Sequence, residues 1–141
     1  MNSVTYDSWN GQPIGFPYLS SASYWPDGSV QGLYYGNGTA SGYHQNNRQQ
    51  IDEIGFQNLS THALYSEKLY CFGLATNPLA ASFPTCDALS AGNTGSVWQI
   101  KDVLNAGNNQ AFTYDNLDRI RTASVSSVTQ QYQIDPVGNM S

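Results

Sequence analysis

The chain has 141 residues with a formal net charge of −5. Only 11% of its residues are charged and 13% are aromatic, whereas a disordered segment usually has many charged and few aromatic residues. Its five Lys and Arg residues are scattered along the chain, so no basic patch is present that could bind a nucleic acid. Ten Tyr and 13 Gly residues favour strands and tight turns over helices, and nothing in the composition indicates a cofactor.

The N-terminal residues 1–6 have neither the positive charge nor the apolar run of a signal peptide. The longest apolar run, at residues 69–75, is too short to span a bilayer. We therefore expect no signal peptide in this chain and no membrane-spanning segment.

Pairs of residues that favour two-residue hairpin turns recur along the chain. They are Asn10-Gly11, Asp27-Gly28, Asn37-Gly38, Asn46-Asn47, Asn108-Asn109 and Gly138-Asn139. Runs of strand length lie between them, in which residues such as Phe112 and Tyr114, or Tyr132 and Ile134, share a face. This alternation predicts an all-β fold, an antiparallel β-hairpin meander that forms one curved sheet.

The middle of the chain interrupts this pattern. Residues 57–69 lack a firm period and could form one or two helical turns, and residues 77–93 contain Pro and several small residues. We interpret residues 57–92 as an insertion, a loop excursion between two groups of hairpins. The hairpins at 1–56 and 93–141 are expected to form one structural unit.

Cys71 and Cys86 bracket a segment rich in Pro, Ala and Asn. A disulfide between them would close a loop of about 15 residues and stabilise the fold by roughly 3 kcal/mol. The other interpretation is two unrelated buried thiols, because nothing in the sequence establishes an oxidising compartment. A zinc site is not expected, since two Cys residues without a nearby His supply half of its ligands.

A short template occurs four times. It consists of an aromatic or aliphatic residue, Asp, two variable residues, a turn former, and Arg or Asn. Its fullest copy contains Tyr114, Asp115 and Arg119, and the others contain Tyr6 and Asp7, Tyr43 and Arg48, and Asp135, Gly138 and Asn139.

The template fits the end of a strand. Tyr114 would finish a strand on its packed side, and Asp115 would accept hydrogen bonds from backbone N–H groups two residues on. Asp118, in the fifth place, tolerates a left-handed conformation, and Arg119 can lie over a neighbouring Tyr ring.

These copies resemble the RHS or YD repeat, as do the runs at 28–39 and 110–120. The resemblance covers most of residues 1–54 and 93–141. It implies a long β-sheet ribbon that spirals into a hollow shell, as in bacterial polymorphic toxins, insecticidal toxin complexes and teneurin-like surface proteins. It also implies a secreted or surface-displayed bacterial parent protein, of which we interpret this chain as a segment. The expected partners are neighbouring repeats, or further copies that pair through sheet edges.

No arrangement of residues indicates catalysis. Asp115 and Asp118 could form an acid–base pair, but Asp recurs in the template without a second carboxylate, which favours a role in the turn. His44 and His62 have no nucleophile in a catalytic motif beside them. We therefore expect a non-enzymatic structural segment without catalytic, cofactor-binding or metal-binding residues.

The many aromatic residues leave a second function open. Exposed rings such as those of Trp25 and Trp98 could stack on sugars, which would make the chain a carbohydrate-binding or adhesion module with glycans as partners. The alternative is a structural ladder, in which each cross-strand pair contributes about 0.2–1 kcal/mol. Its members would be Tyr24, Tyr34, Tyr43, Phe112, Tyr114 and Tyr132.

Overall fold

The computed structural model describes residues 4–5, 17–73, 86, 92–135 and 138. These residues form ten strands and one short 3-10 turn, Ala106–Asn108, and none of their helices is long and apolar enough to cross a membrane. The strands are β1 (Val4–Thr5), β2 (Pro17–Tyr24), β3 (Val30–Tyr35), β4 (Thr39–Gln45), β5 (Ile51–Asn58), β6 (Leu64–Cys71), β7 (Gln99–Asp102), β8 (Gln110–Tyr114), β9 (Ile120–Val125) and β10 (Val128–Gln131). Hydrogen-bonded neighbours follow chain order in an open sheet, so the prediction of an all-β antiparallel meander is confirmed.

The chain divides into two compact units, Met1–Glu67 and Lys68–Ser141. The first contains β1 to β5 and the first half of β6, and the second contains the rest of β6 and β7 to β10. The boundary between the two units therefore lies within a strand.

Three hairpins carry the same irregularity beside their turns. The pairing of β2 with β3, β4 with β5, and β8 with β9 skips one residue of the second strand just after the loop, so that the pairs next to the loop are Tyr24 with Val30, Gln45 with Ile51, and Tyr114 with Ile120. Such a bulge increases the local twist of a strand. Its recurrence indicates that the three turns have a common geometry.

Few side chains in the described residues are fully buried. The buried apolar side chains are Ala40, Leu69 and Cys71, and the buried polar ones are Thr39, Asp52 and Glu67. Large apolar side chains face solvent, among them Leu117, which is 71% exposed, and Val128, which is 65% exposed. This pattern is typical of strands whose faces are not covered by a second layer.

The helical turns considered for residues 57–69 are wrong. β5 continues to Asn58, and β6 begins at Leu64. The side-chain Oδ1 of Asn58 accepts hydrogen bonds from the N–H groups of Ser60 and Thr61, at 2.9 and 3.0 Å. Bonds from a side chain to the local backbone favour a turn over a helix, which explains the short connection.

β6 lies within the loop excursion expected at residues 57–92, so that part of the excursion is a strand. Its alternate side chains Glu67, Leu69 and Cys71 are buried, which is the period of a strand. Most of the remaining excursion, residues 74–85 and 87–91, lies outside the described residues.

Candidate functional site

The template turn at Asp115 joins β8 to β9. The N–H of Asp115 donates to the carbonyl oxygen of Arg119 at 2.9 Å, and the N–H of Asp118 donates to that of Asp115 at 3.1 Å. The Asp115 Oδ1 accepts from the N–H groups of Leu117 and Arg119, at 2.8 and 3.1 Å. Asp118 has φ +56°, the left-handed conformation expected in the fifth place. Asp115 therefore caps this turn in the way that the template predicts.

Arg119 contacts Asp115. Its Nε donates to Asp115 Oδ2 at 2.7 Å, and its Nη2 lies 2.6 Å from the same oxygen. The hydrogen bonds and the charge of Arg119 lower the pKa of Asp115. A charge-assisted hydrogen bond to a carboxylate is stronger than an exposed cation–π contact, which favours this pairing.

The same turn joins β4 to β5, with Asn46 in the place of Asp115. The N–H of Asn46 donates to the carbonyl oxygen of Gln50 at 2.9 Å, and the N–H of Gln49 donates to that of Asn46 at 2.9 Å. The Asn46 Oδ1 accepts from the N–H groups of Arg48 and Gln50, at 2.9 and 3.2 Å. Gln49 has φ +62°, so every backbone feature of the Asp115 turn is present.

This equivalence shifts the second copy of the template by two residues. Gln45 rather than Tyr43 takes the first place, and Gln50 rather than Arg48 takes the sixth. Tyr43 and Arg48 matched the template by residue type alone. The turn itself requires a side-chain acceptor in the second place, which Asn46 supplies.

A further copy, which the sequence analysis missed, joins β2 to β3 at residues 24–30. The N–H of Trp25 donates to the carbonyl oxygen of Ser29 at 2.9 Å, and the N–H of Gly28, at φ +87°, donates to that of Trp25 at 2.9 Å. Trp25 has no side-chain acceptor, and Asp27 replaces it: its Oδ1 accepts from Ser29 N and Oγ, at 3.0 and 2.6 Å. A Tyr in the first place and a Gly in the fifth are the signal that could have identified this copy.

The last copy has the expected register. The N–H of Gly138 donates to the carbonyl oxygen of Asp135 at 3.0 Å, which is the bond that closes the other copies, and Gly138 has φ +97°. Asn139 lies outside the described residues, as do Tyr6 and Asp7 of the first copy.

The first residue of the fullest copy is anchored to a neighbouring segment. The hydroxyl of Tyr114 donates to the carbonyl oxygen of Val97, just before β7. Burial raises the pKa of Tyr114, and the nearby charge of Asp118 adds to the shift. Tyr114 therefore ends its strand on a packed side.

Cys71 and Cys86 are joined by a disulfide, with their Cα atoms 5.7 Å apart. The structure thus adopts one of the two arrangements that the sequence left open. Because both sulfur atoms are bonded, neither can act as a thiolate nucleophile or a metal ligand while the bridge is intact.

Two pairs of ionisable side chains lie on β4, β5 and β6, and no motif in the sequence indicated either pair. His44 Nδ1 lies 2.6 Å from Asp52 Oδ1, and Asp52 is 1% exposed. Glu67 is 3% exposed and is hydrogen bonded to Glu53. Burial, this hydrogen bond and the charge of Glu53 raise the pKa of Glu67 to about 7. Within the described residues, no group of three or more His, Cys, Asp or Glu side chains could hold a metal ion.

His44, which is a possible general base, and the nearby Ser41 have separate partners. His44 contacts Asp52 and the edge of the Trp25 ring, whose centroid is 6.1 Å from its own. The Oγ of Ser41 lies 3.2 Å from the hydroxyl of Tyr35. A hydrogen bond between nucleophile and base, which acyl transfer would need, is therefore not formed between this Ser and this His.

An open groove of about 370 Å³ lies beside the turn that joins β3 to β4 in the first unit. It is lined by Tyr18, Tyr35, Asn37, Thr39 and Phe56. The rings of Tyr35 and Phe56 meet edge to face with centroids 6.3 Å apart, and Tyr65 packs on Phe56 at 5.5 Å. This aromatic ladder differs from the one selected from the sequence, because the register of the strands decides which rings meet.

No protein-family model and no curated protein matches the chain. Its fold is similar to parts of solved Tc toxin structures. A chain of the TcdB2-TccC3-Cdc42 complex matches 94% of this chain with a TM-score of 0.70 and 15% identity. A chain of the Photorhabdus luminescens Tc holotoxin pore with a mutated TccC3 matches 92% with a TM-score of 0.67 and 16% identity. A chain of the TcdB2-TccC3 complex matches 82% with a TM-score of 0.60 and 16% identity.

This chain spans only a small part of each matched chain, namely 7%, 7% and 5% of their lengths in the same order. At 15 to 16% identity the similarity is one of fold. At that level the similarity confirms an antiparallel sheet like that in parts of the Tc toxin chains.

Proposed function

We propose that the chain is a non-enzymatic structural segment of an RHS-type shell or surface scaffold, in a toxin-encapsulating or cell-surface protein. The observation that carries this proposal is the recurrence of one turn. Gln45 follows Tyr24 by 21 residues, and Ile134 follows Tyr114 by 20. Each interval supplies one hairpin, so copies of the unit can extend a sheet strand by strand.

The low burial of the described strands supports this role. A repeat unit cannot bury its apolar faces alone and gains stability from the units beside it. Exposed apolar residues such as Leu117 and Val128 are therefore expected in a segment that lies against further repeats.

The similarity of fold to Tc toxin chains and the disulfide support a secreted or surface-displayed bacterial parent protein. Disulfides persist in oxidising compartments and are rare in the cytosol. The bridge between Cys71 and Cys86 therefore supports export of the parent protein.

Cryo-electron microscopy of the product of the natural reading frame tests the structural role. We expect β2 to β10 to lie in the wall of a larger sheet, with further hairpins beside them. A particle in which this segment has no sheet neighbours, or protrudes from the wall, would contradict the proposal.

A screen of the purified chain against hydrolase substrates tests the non-enzymatic part. We expect no turnover above buffer. Turnover that His44→Ala abolishes would overturn this part, because the pair of His44 and Asp52 is a base-like arrangement among the described residues.

A second candidate function is carbohydrate binding or adhesion through exposed aromatic side chains. The groove beside the β3–β4 turn favours it, because three aromatic residues line it together with Asn37 and Thr39. The two functions are compatible, since a shell wall can also present a binding surface.

A further inference from the structure

We propose that the groove lined by Tyr18, Tyr35, Asn37, Thr39 and Phe56 binds a neutral saccharide through a pyranose ring. The inference rests on the second candidate function and gives it a site. The groove lies entirely within the first unit, between β2 and β5.

The aromatic walls supply a stacking surface. Tyr18 is 69% exposed, and its carbonyl oxygen accepts from the N–H of Gly36 at 3.4 Å, which holds it beside the β3–β4 turn. The edge-to-face contact with Tyr35 fixes the orientation of the Phe56 ring. A pyranose presents its axial C–H groups on a flat apolar face, and the electron-rich face of an aromatic ring attracts such groups.

The polar groups of the groove are already oriented. The N–H and the Oγ1 of Thr39 donate to the Oδ1 of Asn37, at 3.2 and 2.7 Å. With Oδ1 engaged, the amide group is fixed in orientation and its Nδ2 can donate to a sugar hydroxyl. The Tyr35 hydroxyl, 3.2 Å from Ser41 Oγ, is held in the same way.

The side chains that line the groove are uncharged, which favours a neutral ligand. None of the five lining residues is Asp, Glu, Lys, Arg or His. A carboxylate or sulfate group placed here would lose solvent without gaining a charged partner, which is unfavourable. A volume of about 370 Å³ lies at the small end of ligand sites, which suits one or two sugar rings.

The two tryptophans that the sequence suggested are less suited to stacking. The Trp25 Nε1 donates to the carbonyl oxygen of Tyr43 at 3.3 Å, and its ring packs on His44. The Nε1 of Trp98 is buried. Tyr18 is therefore the residue on which the proposal depends.

Calorimetric titration of the 141-residue chain with cellotetraose, chitotetraose and maltotetraose tests the proposal. We expect saturable binding of at least one of them, and no binding of tetragalacturonate, their anionic counterpart. Tyr18→Ala should weaken binding about tenfold, and Tyr35→Phe, which keeps the ring and removes the hydroxyl, by a smaller factor. Tyr34 lies next to Tyr35 on β3 and faces the opposite side of the sheet, so Tyr34→Ala is the matched control and should bind like the unmodified chain.

The possible results test the groove as a binding site separately from carbohydrate binding as a function. Binding that survives Tyr18→Ala would overturn the groove and leave carbohydrate binding elsewhere on the chain. Equal binding of tetragalacturonate would overturn the neutral-ligand claim. No binding of any tetrasaccharide at about 10 mM, well above a millimolar Kd, would overturn both the groove and the second candidate function, while the structural role would stand.

Discussion

The carboxyl group of Glu67 on β6 is hydrogen bonded to the carboxyl group of Glu53 on β5, and Glu67 is almost fully buried. Burial disfavours the charged form of Glu67, and the hydrogen bond to Glu53 and the charge of Glu53 act in the same direction. The pKa of Glu67 is therefore raised to about 7, within a chain whose other described acids lie mostly at turns and on exposed surfaces.

The first prediction concerns the pH dependence of stability. The unfolded chain releases the Glu67 proton near the ordinary pKa of 4.5, whereas the folded protein keeps it until about pH 7. Between these values the folded state binds more protons, so the free energy of unfolding falls as pH rises and levels off above pH 7. The pKa values of Asp27, Asp102 and Asp115 are lowered below 3.8, so these groups change the free energy of unfolding only at pH values below this window.

Thermal unfolding between about pH 5 and pH 7.5 measures the effect. We expect Tm to fall by roughly 3–8 °C over this range in the unmodified chain, and to change little in Glu67→Gln, which mimics the protonated form. Asp118→Asn, at an exposed turn, is the control and should keep the slope. An unchanged slope in Glu67→Gln would refute the role of this pair.

The second prediction tests the cap of the β4–β5 turn. Asn46→Ala removes the acceptor of two backbone N–H groups and should lower the free energy of unfolding by about 1–2 kcal/mol. Asn46→Asp should preserve it, because Asp115 caps the equivalent turn. Asn47→Ala, at the exposed next residue, is the matched control. Chemical denaturation of the three variants gives the comparison, and equal losses at 46 and 47 would show that the cap has no special role.

The third prediction concerns the left-handed fifth place of the turn. Gly28 has φ +87° and nothing lies within 4 Å of an added Cβ, so Gly28→Ala is opposed by backbone conformation alone and should destabilise by about 1 kcal/mol. Gln49 has φ +62° in the equivalent place, and Gln49→Gly should therefore stabilise by up to about 1 kcal/mol. Denaturant midpoints of the two variants decide it, and a shift in the same direction for both would contradict the equivalence of the turns.

These turns show which features could be predicted from the sequence and which could not. The cap at Asp115 and the left-handed Asp118 follow from consecutive residues, so local chemistry was enough. The second copy was aligned wrongly because Tyr43 and Arg48 resemble the template, whereas the turn depends on Asn46, which can replace Asp as an acceptor.

The candidate sites depend on the register between strands, which no short sequence window contains. Glu53 and Glu67 meet because β5 and β6 pair across a short turn, within a segment that was interpreted from the sequence as a loop excursion. The rings of Tyr35 and Phe56 meet across β4, which lies between their strands. Alternation predicted the strands themselves, but it could not say which side chains would face each other.

The fourth prediction concerns the bridge between Cys71 and Cys86. The bridged residues are separated by 15 positions, and a closed loop of that length stabilises by about 3 kcal/mol. The Cys71→Ser and Cys86→Ser double variant should therefore lose a large part of its stability, and dithiothreitol should lower the Tm of the unmodified chain but not that of the variant. A Tm that is insensitive to reductant in both proteins would contradict a structural bridge.

The last prediction concerns association through the strand at the end of the described sheet. β10 pairs with β9, all four of its residues are exposed, and none is charged or Pro. An uncharged edge strand offers backbone groups to another strand, which natural sheets usually prevent with Lys or Pro. We expect copies to pair head to tail or by swapping as concentration rises, and Val128→Lys together with Gln131→Lys to restore the monomer by repulsion between the added charges. Light scattering over a wide concentration range tests this, and a mass that stays at 15.4 kDa throughout would mean that β10 is protected by the chain itself.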